Sequence, residues 1–529
     1  MSRPRQAVLA VASLRTCGAA SAGGHGFRAR RRCIISPVGP CGRQNTGVNV
    51  AKKKVLLTGA SGSMGGEAFK ELLRRRDKYD VVLLLRPSSR NKKLFRKYQG
   101  QEGVRIVWGD LRNPEDVLKA VDGVDHVLHP AAFIAPAADR NPPECRRINL
   151  GGTQNIIAAI KQQPDNGDHV RLVSVASVAM YGDRLPPIHM LKVGDPLKPS
   201  VGDFYATTKM AAERAVIESG LKYWAVLRQT YIAIPNALSL MDPIMFHQPL
   251  NTHIELVTSE DSGYALVQTL EAPDDFYGRV YNIGGGPSCR VVFRDYIERM
   301  FQLFGLGDYR KAMRPNWFAL RNFHCGWYED SYVLNDYLGH WRQSVEDHYR
   351  EVEAAIPWYL KLGARMAPAF IVRAFMKRMA DPLKWIKNNE EEKIKAFFGS
   401  REAWENIPDR WDDVVAANYP ETGQATVISP PPGDTIEDMR QLARSRGGEC
   451  LSTDVGDGKT KLKWRCAFGH EWEATPLLHK VGHWCPECTP PPWDYDTIAK
   501  ADPGLASVYY NNHGRDEYQK VDYLYCPNE

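Results

Sequence analysis

Acidic residues are absent from the first 50 positions of this 529-residue chain, whereas the same segment contains eight arginines. These arginines account for the formal net charge of +7, so the rest of the chain is close to neutral. A neutral body gives no electrostatic reason to expect nucleic acid as a partner. The chain also lacks any stretch of 18 uninterrupted apolar residues, which argues against a transmembrane helix. Its length and its 43% of hydrophobic residues allow two to three domains.

The N-terminal segment, residues 1–50, has the composition of a targeting sequence. It is rich in arginine, contains serine and lacks acids, and in this it resembles a mitochondrial or plastid transit peptide. A disordered tail, or a start codon chosen upstream of the natural one near residues 48–51, would give the same composition. We expect a cytoplasmic protein, or a mitochondrial or plastid one if the segment is a transit peptide.

A glycine-rich turn at residues 58–65 lies between a short apolar run and a predicted helix. This order of strand, turn and helix is the one that a dinucleotide site requires. Gly59 permits the tight turn, Gly62 lets the backbone approach a pyrophosphate, and Gly65 lets helix and strand pack closely. The alternative is that the turn is only a tight connection. Downstream chemistry decides between the two interpretations.

Tyr205 and Lys209 are four residues apart on a predicted helix at 204–216, which places both side chains on one face. The lysine ammonium can lower the pKa of the phenol, so that the phenol exchanges a proton with a carbonyl or alcohol oxygen. Ser177 ends a predicted strand at 172–177, where parallel sheets assemble their sites. A tyrosine four residues before a lysine is often only a half-buried helix residue, but this context is specific.

Residues 53–362 resemble the extended short-chain dehydrogenase/reductases, which include nucleotide-sugar epimerases and dehydratases, hydroxysteroid dehydrogenases and dihydroflavonol reductases. The resemblance implies an α/β fold: a doubly wound parallel sheet (Rossmann) with a smaller C-terminal substrate portion. The sequence departs from the family pattern at two positions. Gln229 follows Arg228 where the family usually has proline, and Pro130 precedes the paired alanines where leucine is common. The residues that carry it beyond the two motifs are Asp110, Leu111, Ala131, Ala132, Asn149, Leu227, Arg228, Asp261, Tyr281, Asn282, Gly284, Gly339 and Trp341.

The resemblance also implies roles for single residues. Ser177 and Tyr205 would bind the reacting oxygen, Tyr205 would transfer the proton, and Lys209 would hold the ribose and tune Tyr205. We therefore expect hydride transfer at a carbonyl or alcohol of a small-molecule substrate, with nucleotide-sugar epimerisation or dehydration as the alternative. The residues expected to bind the cofactor are Gly59, Ser61, Gly62, Met64, Gly65, Arg86, Arg90, Asp110, Leu111, Ala131, Ala132, Asn149, Tyr205 and Lys209.

No acidic residue follows the second predicted strand, residues 81–85, where an NAD enzyme usually offers Asp or Glu to the ribose hydroxyls. Arg86 and Arg90 stand there instead, with two serines between them, and guanidinium groups suit a 2′-phosphate. This favours NADP over NAD. The alternative is an ordinary solvated basic surface, which would leave NAD as the cofactor.

The substrate portion is rich in aromatic residues between 317 and 328. They could line an apolar pocket for a terpenoid, steroid or aryl substrate, although aromatic clusters are more often core. Nucleotide sugars therefore stay open as substrates, and a homodimer is among the expected assemblies.

The chain beyond residue 362 predicts three further segments. Residues 363–420 read as a helical extension in which basic and aromatic side chains mix. Such a helix could lie on a membrane surface, but we favour packing of its apolar face against the reductase domain. Residues 421–439, which contain three consecutive prolines, predict a linker, and residues 440–529 predict a small zinc-ribbon-like domain.

Two pairs of candidate metal ligands lie in that last domain, fourteen residues apart. Their thiolates and imidazole suit a structural Zn²⁺, which would stabilise a domain with little core of its own. Disulfides are the main alternative, and Cys450 is the second choice as a ligand. His479 and His483 are interpreted as surface residues. The four expected ligands are Cys466, His470, Cys485 and Cys488.

Because zinc ribbons often bind other macromolecules, a second class of function competes with the enzyme. The chain could be a non-catalytic nucleotide-binding scaffold that carries an interaction module. The intact set of Ser177, Tyr205 and Lys209 favours the enzyme, because a scaffold would not need it. Acidic residues dilute the basic ones of the ribbon, so nucleic acid is not the expected partner.

Overall fold

The computed structural model describes residues 51–135, 137–183, 190–235, 242–408, 410–411 and 435–488, with residues 493–494, 500 and 520–521. The predicted targeting segment at 1–50, most of the predicted linker and most of the chain beyond 488 lie outside these residues.

Short apolar runs form the strands of the molecule. Seven of them make one parallel sheet in the order β3-β2-β1-β4-β5-β7-β11, and the order reverses between β1 and β4. A doubly wound sheet binds its ligand at such a reversal. The strands before the ribbon are β1 (Lys53–Thr58), β2 (Tyr79–Leu85), β3 (Val104–Trp108), β4 (His126–His129), β5 (Arg171–Ser177), β6 (Met190–Leu191), β7 (Tyr223–Gln229), β8 (Ile232–Ala233), β9 (His253–Glu255), β10 (Val257–Thr258), β11 (Arg279–Ile283), β12 (Arg290–Val292) and β13 (Trp327–Tyr328).

Helices cover both faces of the sheet, as the sequence predicts for a Rossmann fold. The helices before the ribbon are α1 (Ser63–Arg74), α2 (Ser89–Phe95), α3 (Pro114–Val121), α4 (Ala137–Arg140), α5 (Pro142–Arg146), α6 (Gly152–Lys161), α7 (Phe204–Ile217), α8 (Ser259–Gln268), α9 (Phe293–Phe304), α10 (Ser331–Leu338), α11 (Val345–Ala355), α12 (Trp358–Met366), α13 (Ala369–Met379), α14 (Asp381–Lys387), α15 (Glu391–Phe398) and α16 (Arg401–Glu405).

Successive side chains of each strand point to opposite faces of the sheet, so the sheet separates two hydrophobic clusters. Val55 and Leu57 of β1 share one hydrophobic cluster with residues of α1 and α8. Leu56, between them, belongs to the opposite cluster, which contains residues of α3, α6 and α7. A third cluster joins α9, α11 and α13 in the C-terminal part of the chain. No described helix combines the length and the apolar character that crossing a bilayer requires.

A helix crosses the predicted boundary between the linker and the ribbon-like domain. It runs from Ile436 to Ser445, so its first four residues lie in the predicted linker, and Thr435 and Asp438 form a capping box at its start. The remaining elements are a three-stranded sheet of β14 (Glu449–Cys450), β15 (Leu462–Arg465) and β16 (Glu471–Ala474), a short helix (Pro476–Lys480), and a pair of β17 (Trp493–Asp494) and β18 (Lys520–Val521). We use the name ribbon for residues 435–488.

The ribbon does not stand apart from the sheet. Leu442, Trp464 and Leu478 belong to the same hydrophobic cluster as Leu172 of β5 and Val226 of β7. Trp464 is completely buried. One continuous core therefore joins the ribbon to one face of the Rossmann sheet.

Candidate active site and metal centre

The turn between β1 and α1 has the geometry that its glycines predict. Gly59 adopts a φ of +65°, a region that favours glycine. A Cβ atom at Gly65 would lie 2.3 Å from the Gly59 carbonyl oxygen, so only glycine fits there. The N-cap residue of α1, Gly62, offers no side-chain acceptor to the first turn of the helix. The helix N-terminus thus keeps N–H groups that a pyrophosphate can accept, which is the fit expected of a dinucleotide site.

The turn opens onto a cleft with about 1410 Å³ of empty space at the reversal of strand order. Thirteen of the fourteen residues expected to bind the cofactor line this cleft, together with Gln229 and Ile232. Asn149 does not line it, and neither does Ser177. The predicted residues along the cleft are Gly59, Ser61, Gly62, Met64, Gly65, Arg86, Arg90, Asp110, Leu111, Ala131, Ala132, Tyr205 and Lys209.

Asn149 acts one layer behind the cleft wall. It lies in a π-helical turn, a form of helix that often marks functional sites. Its side-chain oxygen accepts from the Phe133 N–H at 2.7 Å, and its amide donates to the Phe133 carbonyl and to Thr208 Oγ1 on α7, each at 3.0 Å. Asn149 therefore ties the loop after β4 to the helix that carries Tyr205 and Lys209.

Local structure brings the three expected catalytic residues together. Asp203 caps α7 by accepting from the Ala206 N–H at 2.8 Å, which fixes the turn that carries Tyr205. Ser177 ends β5 and is hydrogen-bonded to the Tyr205 phenol. Lys209, one turn further along α7, is buried and donates from Nζ to the Val175 carbonyl at 2.5 Å.

The pKa of Tyr205 differs from the expectation. Burial raises the pKa of the phenol, and the hydrogen bond with Ser177 opposes this without reversing it. Burial also lowers the pKa of Lys209, to about 8. The predicted lowering of the Tyr205 pKa by the Lys209 charge is not found, because the ammonium is directed at the backbone of β5. Tyr205 therefore holds its proton at neutral pH.

The two arginines after β2 lie at the rim of the cleft. Ser88 caps α2, and the Asn91 amide donates to the Arg86 carbonyl at 3.0 Å, so both arginines have a fixed backbone. The side chains of Arg86 and Arg90 are exposed and line the cleft. Neither of them forms a salt bridge with a described residue, which leaves both guanidinium groups available to an anionic ligand.

The cysteines and the histidine of the ribbon form a tight cluster. The ligand atoms of Cys466, His470, Cys485 and Cys488 all lie within 4.8 Å of one another. Nδ1 of His470 lies 3.5 Å from Cys466 Sγ, 3.7 Å from Cys485 Sγ and 3.4 Å from Cys488 Sγ. Ligands about 2.3 Å from a tetrahedral zinc ion are roughly 3.7 Å apart, so the cluster has the right size. The three cysteines are free thiols, which argues against the disulfide alternative, and Cys450 is not in the cluster.

The interpretation of His479 and His483 as surface residues was wrong. His479 is completely buried and His483 is 1% exposed. Nε2 of His483 lies 2.9 Å from Glu213 Oε1 on α7, and Nδ1 of His479 lies 3.0 Å from the His483 carbonyl oxygen. The local sequence does not indicate this burial, because the residues that cover the two histidines lie in a distant part of the chain.

Sequence reasoning also missed the buried polar network that joins the ribbon to α7. Arg228 of β7 is completely buried. It donates to both carboxylate oxygens of Glu213, at 2.6 and 3.1 Å, and to the phenol oxygen of Tyr181 at 2.8 Å. It also donates to the ribbon carbonyl of Val481 at 2.7 Å. One signal was available: Arg228 follows the apolar run of residues 225–227, and a charged residue in a buried strand requires a buried partner.

Comparison with known proteins agrees with this architecture. Residues 55–233 match the model of the NAD dependent epimerase/dehydratase family. The inverting UDP-N-acetylglucosamine 4,6-dehydratase of Campylobacter jejuni is 33% identical over 109 residues, which are 20% of this chain and 32% of that protein. The 3 beta-hydroxysteroid dehydrogenase/Delta 5-->4-isomerase of Mycobacterium tuberculosis is 28% identical over 172 residues, which are 31% of this chain and 42% of that protein.

The crystal structure of dTDP-glucose 4,6-dehydratase from Bacillus anthracis in complex with NAD is 17% identical, with a TM-score of 0.47. The similarity covers 57% of this chain and 96% of that one. The chain thus matches about a third of the length of the first curated relative. The family match is confined to residues 55–233, and the fold of the chain there is an α/β Rossmann fold.

Proposed function

We propose that the protein is an NAD(P)-dependent oxidoreductase of the extended short-chain dehydrogenase/reductase type that acts on a carbonyl or alcohol carbon. One observation carries the proposal: Tyr205, Ser177 and Lys209 converge beside a cleft whose far end is a glycine turn with an uncapped helix N-terminus. A catalytic acid and a dinucleotide cradle on one cleft are the parts that hydride transfer requires.

The residues divide the proton chemistry between them. The hydroxyl groups of Ser177 and Tyr205 hydrogen-bond the substrate oxygen. Tyr205, protonated because burial raises its pKa, donates its proton to that oxygen as negative charge develops there. Lys209, one turn after Tyr205 on α7 and also on the cleft wall, would bind the ribose of the cofactor. The nicotinamide supplies or accepts the hydride when it is bound.

NADP is the cofactor that we propose, with NAD as the alternative. Arg86 and Arg90 at the rim of the cleft support NADP, because exposed guanidinium groups form charge-assisted bonds with a 2′-phosphate. No carboxylate follows β2 to take the ribose hydroxyls of NAD.

A substrate with an apolar body is the class that we favour. An apolar cavity adjoins β8, with about 810 Å³ of empty space that includes open solvent, and Tyr231 lines it while its neighbour Ile232 lines the cofactor cleft. The cavity walls are mainly apolar side chains of α9, including Phe293, Met300 and Phe301. Aromatic residues from the segment 317–328 do not line it; Trp317, Phe318 and Tyr328 are buried core.

Nucleotide-sugar epimerisation or dehydration is the second candidate, favoured by the match of residues 55–233 to the epimerase/dehydratase model. A non-catalytic scaffold is the third candidate and would have no use for Ser177, Tyr205 and Lys209 brought together beside the cleft. A single screen separates the three. The full chain is incubated with NADPH or NADH and with apolar ketones and aldehydes or with nucleotide sugars, and the products are separated by chromatography.

We expect reduction of an apolar carbonyl compound with oxidation of the cofactor. Tyr205→Phe should abolish turnover while it leaves cofactor binding largely intact, because it removes one hydroxyl and little volume. Tyr332→Phe, which changes an exposed tyrosine on α10, is the matched control and should turn over normally. Conversion of a nucleotide sugar alone would replace the proposal with the second candidate, and turnover by Tyr205→Phe would remove Tyr205 as the acid.

We also propose that Cys466, His470, Cys485 and Cys488 hold one structural zinc ion, since all four positions are protein groups and leave none for a catalytic water. The division into a reductase domain (52–362), a helical extension (363–420), a linker (421–439) and a ribbon-like domain (440–529) remains our proposal. A homodimer and a cytoplasmic, mitochondrial or plastid location remain predictions from the sequence.

A further inference from the structure

Helices α12 and α13, at the end of the predicted reductase domain and the start of the predicted helical extension, carry an unusual concentration of exposed apolar side chains. Among the described residues, eight of the fifteen large hydrophobic side chains that are exposed lie on α12 and α13. Trp358, Met366 and Phe370 are 75%, 74% and 71% exposed. We call this surface the apolar patch, and its members are Trp358, Tyr359, Leu360, Leu362, Met366, Phe370, Ile371 and Phe375. The expectation that the apolar face of the extension packs on the reductase domain accounts for none of them.

Packing within the fold uses the opposite side of α13. Val372, Met376 and Met379 recur at helical spacing and belong to the hydrophobic core of the C-terminal part of the chain. Ile371 and Phe375, also one turn apart, point away from it and are exposed. A helix that needs one apolar stripe for its own packing thus displays a second one. Exposed patches of this kind mark interaction surfaces.

The charge around the patch is of one sign. Residues 358–380 contain five basic residues and no acidic one. Arg365, Lys377 and Arg378 form no salt bridge with a described residue, while Lys361 pairs with Glu353 on α11 and Arg373 donates to the Lys311 carbonyl. Aromatic and aliphatic side chains beside unpaired cations are the composition of helices that lie in the interface of an anionic membrane.

We infer that α12 and α13 dock this protein on the surface of an anionic lipid bilayer. A second copy of the chain fits the patch less well, because a two-fold contact through it would bring Arg365, Lys377 and Arg378 of both copies together. Docking in the interface needs no helix that crosses the membrane, and none of the described helices could do so.

The apolar cavity lies behind the same helix. Met376 on the inner side of α13 lines it, as do Phe304 at the end of α9 and Leu306 just after it. Docking would therefore hold α13, which forms part of the wall of this apolar cavity, against the membrane, where a lipid-soluble compound is concentrated. The docking itself does not depend on the proposed function, and its test uses no substrate.

Co-sedimentation with vesicles tests the inference on the full chain. Vesicles of phosphatidylcholine alone are compared with vesicles of phosphatidylcholine mixed with phosphatidylserine, at low and at high salt. We expect binding to the mixed vesicles that high salt weakens. Phe370→Ser with Ile371→Ser and Phe375→Ser, and separately Lys377→Ala with Arg378→Ala, should each lower the affinity by roughly tenfold or more.

Matched controls remove the same kinds of side chain elsewhere on the surface. Leu94→Ser with Tyr332→Ser, and Arg76→Ala with Lys119→Ala, should bind like the wild type, because these exposed residues lie on the Rossmann domain. Circular dichroism and cofactor titration establish that each variant is folded. Absence of binding to the mixed vesicles, or equal binding by the patch variants and the wild type, would overturn the inference. A dimer that the apolar variant abolishes would assign the patch to a second copy instead.

Discussion

His483 of the ribbon and Glu213 of α7 are in contact, with 2.9 Å between Nε2 and Oε1, although 270 residues separate them in the chain. Glu213 lies four residues beyond Lys209, on the helix that carries the proposed acid. Burial raises the pKa of Glu213, but the Arg228 charge and the hydrogen bonds from His483 and Arg228 outweigh it and lower the pKa to about 2. The ribbon is therefore attached to α7 through a buried hydrogen bond between His483 and Glu213, and the Glu213 charge is paired with Arg228 of β7.

Glu213→Ala should destabilise the whole protein. It leaves the Arg228 guanidinium buried without its carboxylate, a change that typically costs about 3–5 kcal/mol of the free energy of unfolding. Urea unfolding followed by tryptophan fluorescence measures the loss. Glu437→Ala, which breaks an exposed ion pair with Arg444 in the ribbon, is the control and should leave the urea midpoint almost unchanged. Equal midpoints for the two variants would mean that the buried pair contributes nothing.

Removal of zinc should affect more than the ribbon. We expect the full chain to contain one zinc ion, measured by elemental analysis, and Cys485→Ser with Cys488→Ser to contain none. Because the ribbon shares its core with β5 and β7, the zinc-free protein should also unfold at lower temperature in its reductase part. Cys450→Ser, outside the cluster, should keep its zinc. Zinc retained by the double variant would contradict the site.

Arg86→Ala should weaken binding of NADPH and leave binding of NADH nearly unchanged. Loss of one charge-assisted bond to a phosphate is worth about 1.5–3 kcal/mol, or roughly 10- to 100-fold in Kd. Arg90→Ala should act in the same direction, and fluorescence titration of both cofactors measures the effect. Arg96→Ala, an exposed arginine at the end of α2, serves as the control. A wild type that prefers NADH would refute the assignment of NADP.

Lys209 should make stability depend on pH above neutrality. Burial lowers its pKa from 10.5 to about 8, so between these values the unfolded chain binds more protons than the folded one. The free energy of unfolding therefore rises with pH through this window. Relative to Lys209→Met, the wild type should gain about 2 kcal/mol between about pH 7.5 and about pH 9.5. Lys119→Met, an exposed substitution, should parallel the wild type. If the free energy of unfolding of Lys209→Met rises with pH as steeply as that of the wild type, burial does not lower the pKa of Lys209.

Local patterns in the sequence indicated three strands of the sheet, whereas the doubly wound sheet as a whole was expected from the family resemblance. Gly59 and Gly65 occupy positions that only glycine fits, and the cysteine pairs predicted ligand atoms that do meet. These signals are local because each turn or strand end supplies its own geometry. Periodicity alone reports that a helix has an apolar face but not which neighbour covers it.

Contacts between distant segments were beyond such patterns. Glu213 occupies an ordinary helical position in the sequence, and nothing nearby indicates that Arg228 and His483 surround it. The exposure of Phe375 could not be predicted for the same reason. The sequence of α13 contains two apolar stripes, and only the structure shows that the one with Met376 fills the core.

The shared core has a consequence for how this chain can be divided. A fragment that ends before Thr435 would expose the apolar face of the sheet that Trp464 and Leu478 cover. In the same fragment, Arg228 would lose its hydrogen bond to the Val481 carbonyl. Such a fragment would aggregate rather than act as a smaller enzyme. Recombination could not exchange this ribbon between relatives on its own, because the residues of the sheet that pack against it would have to change at the same time.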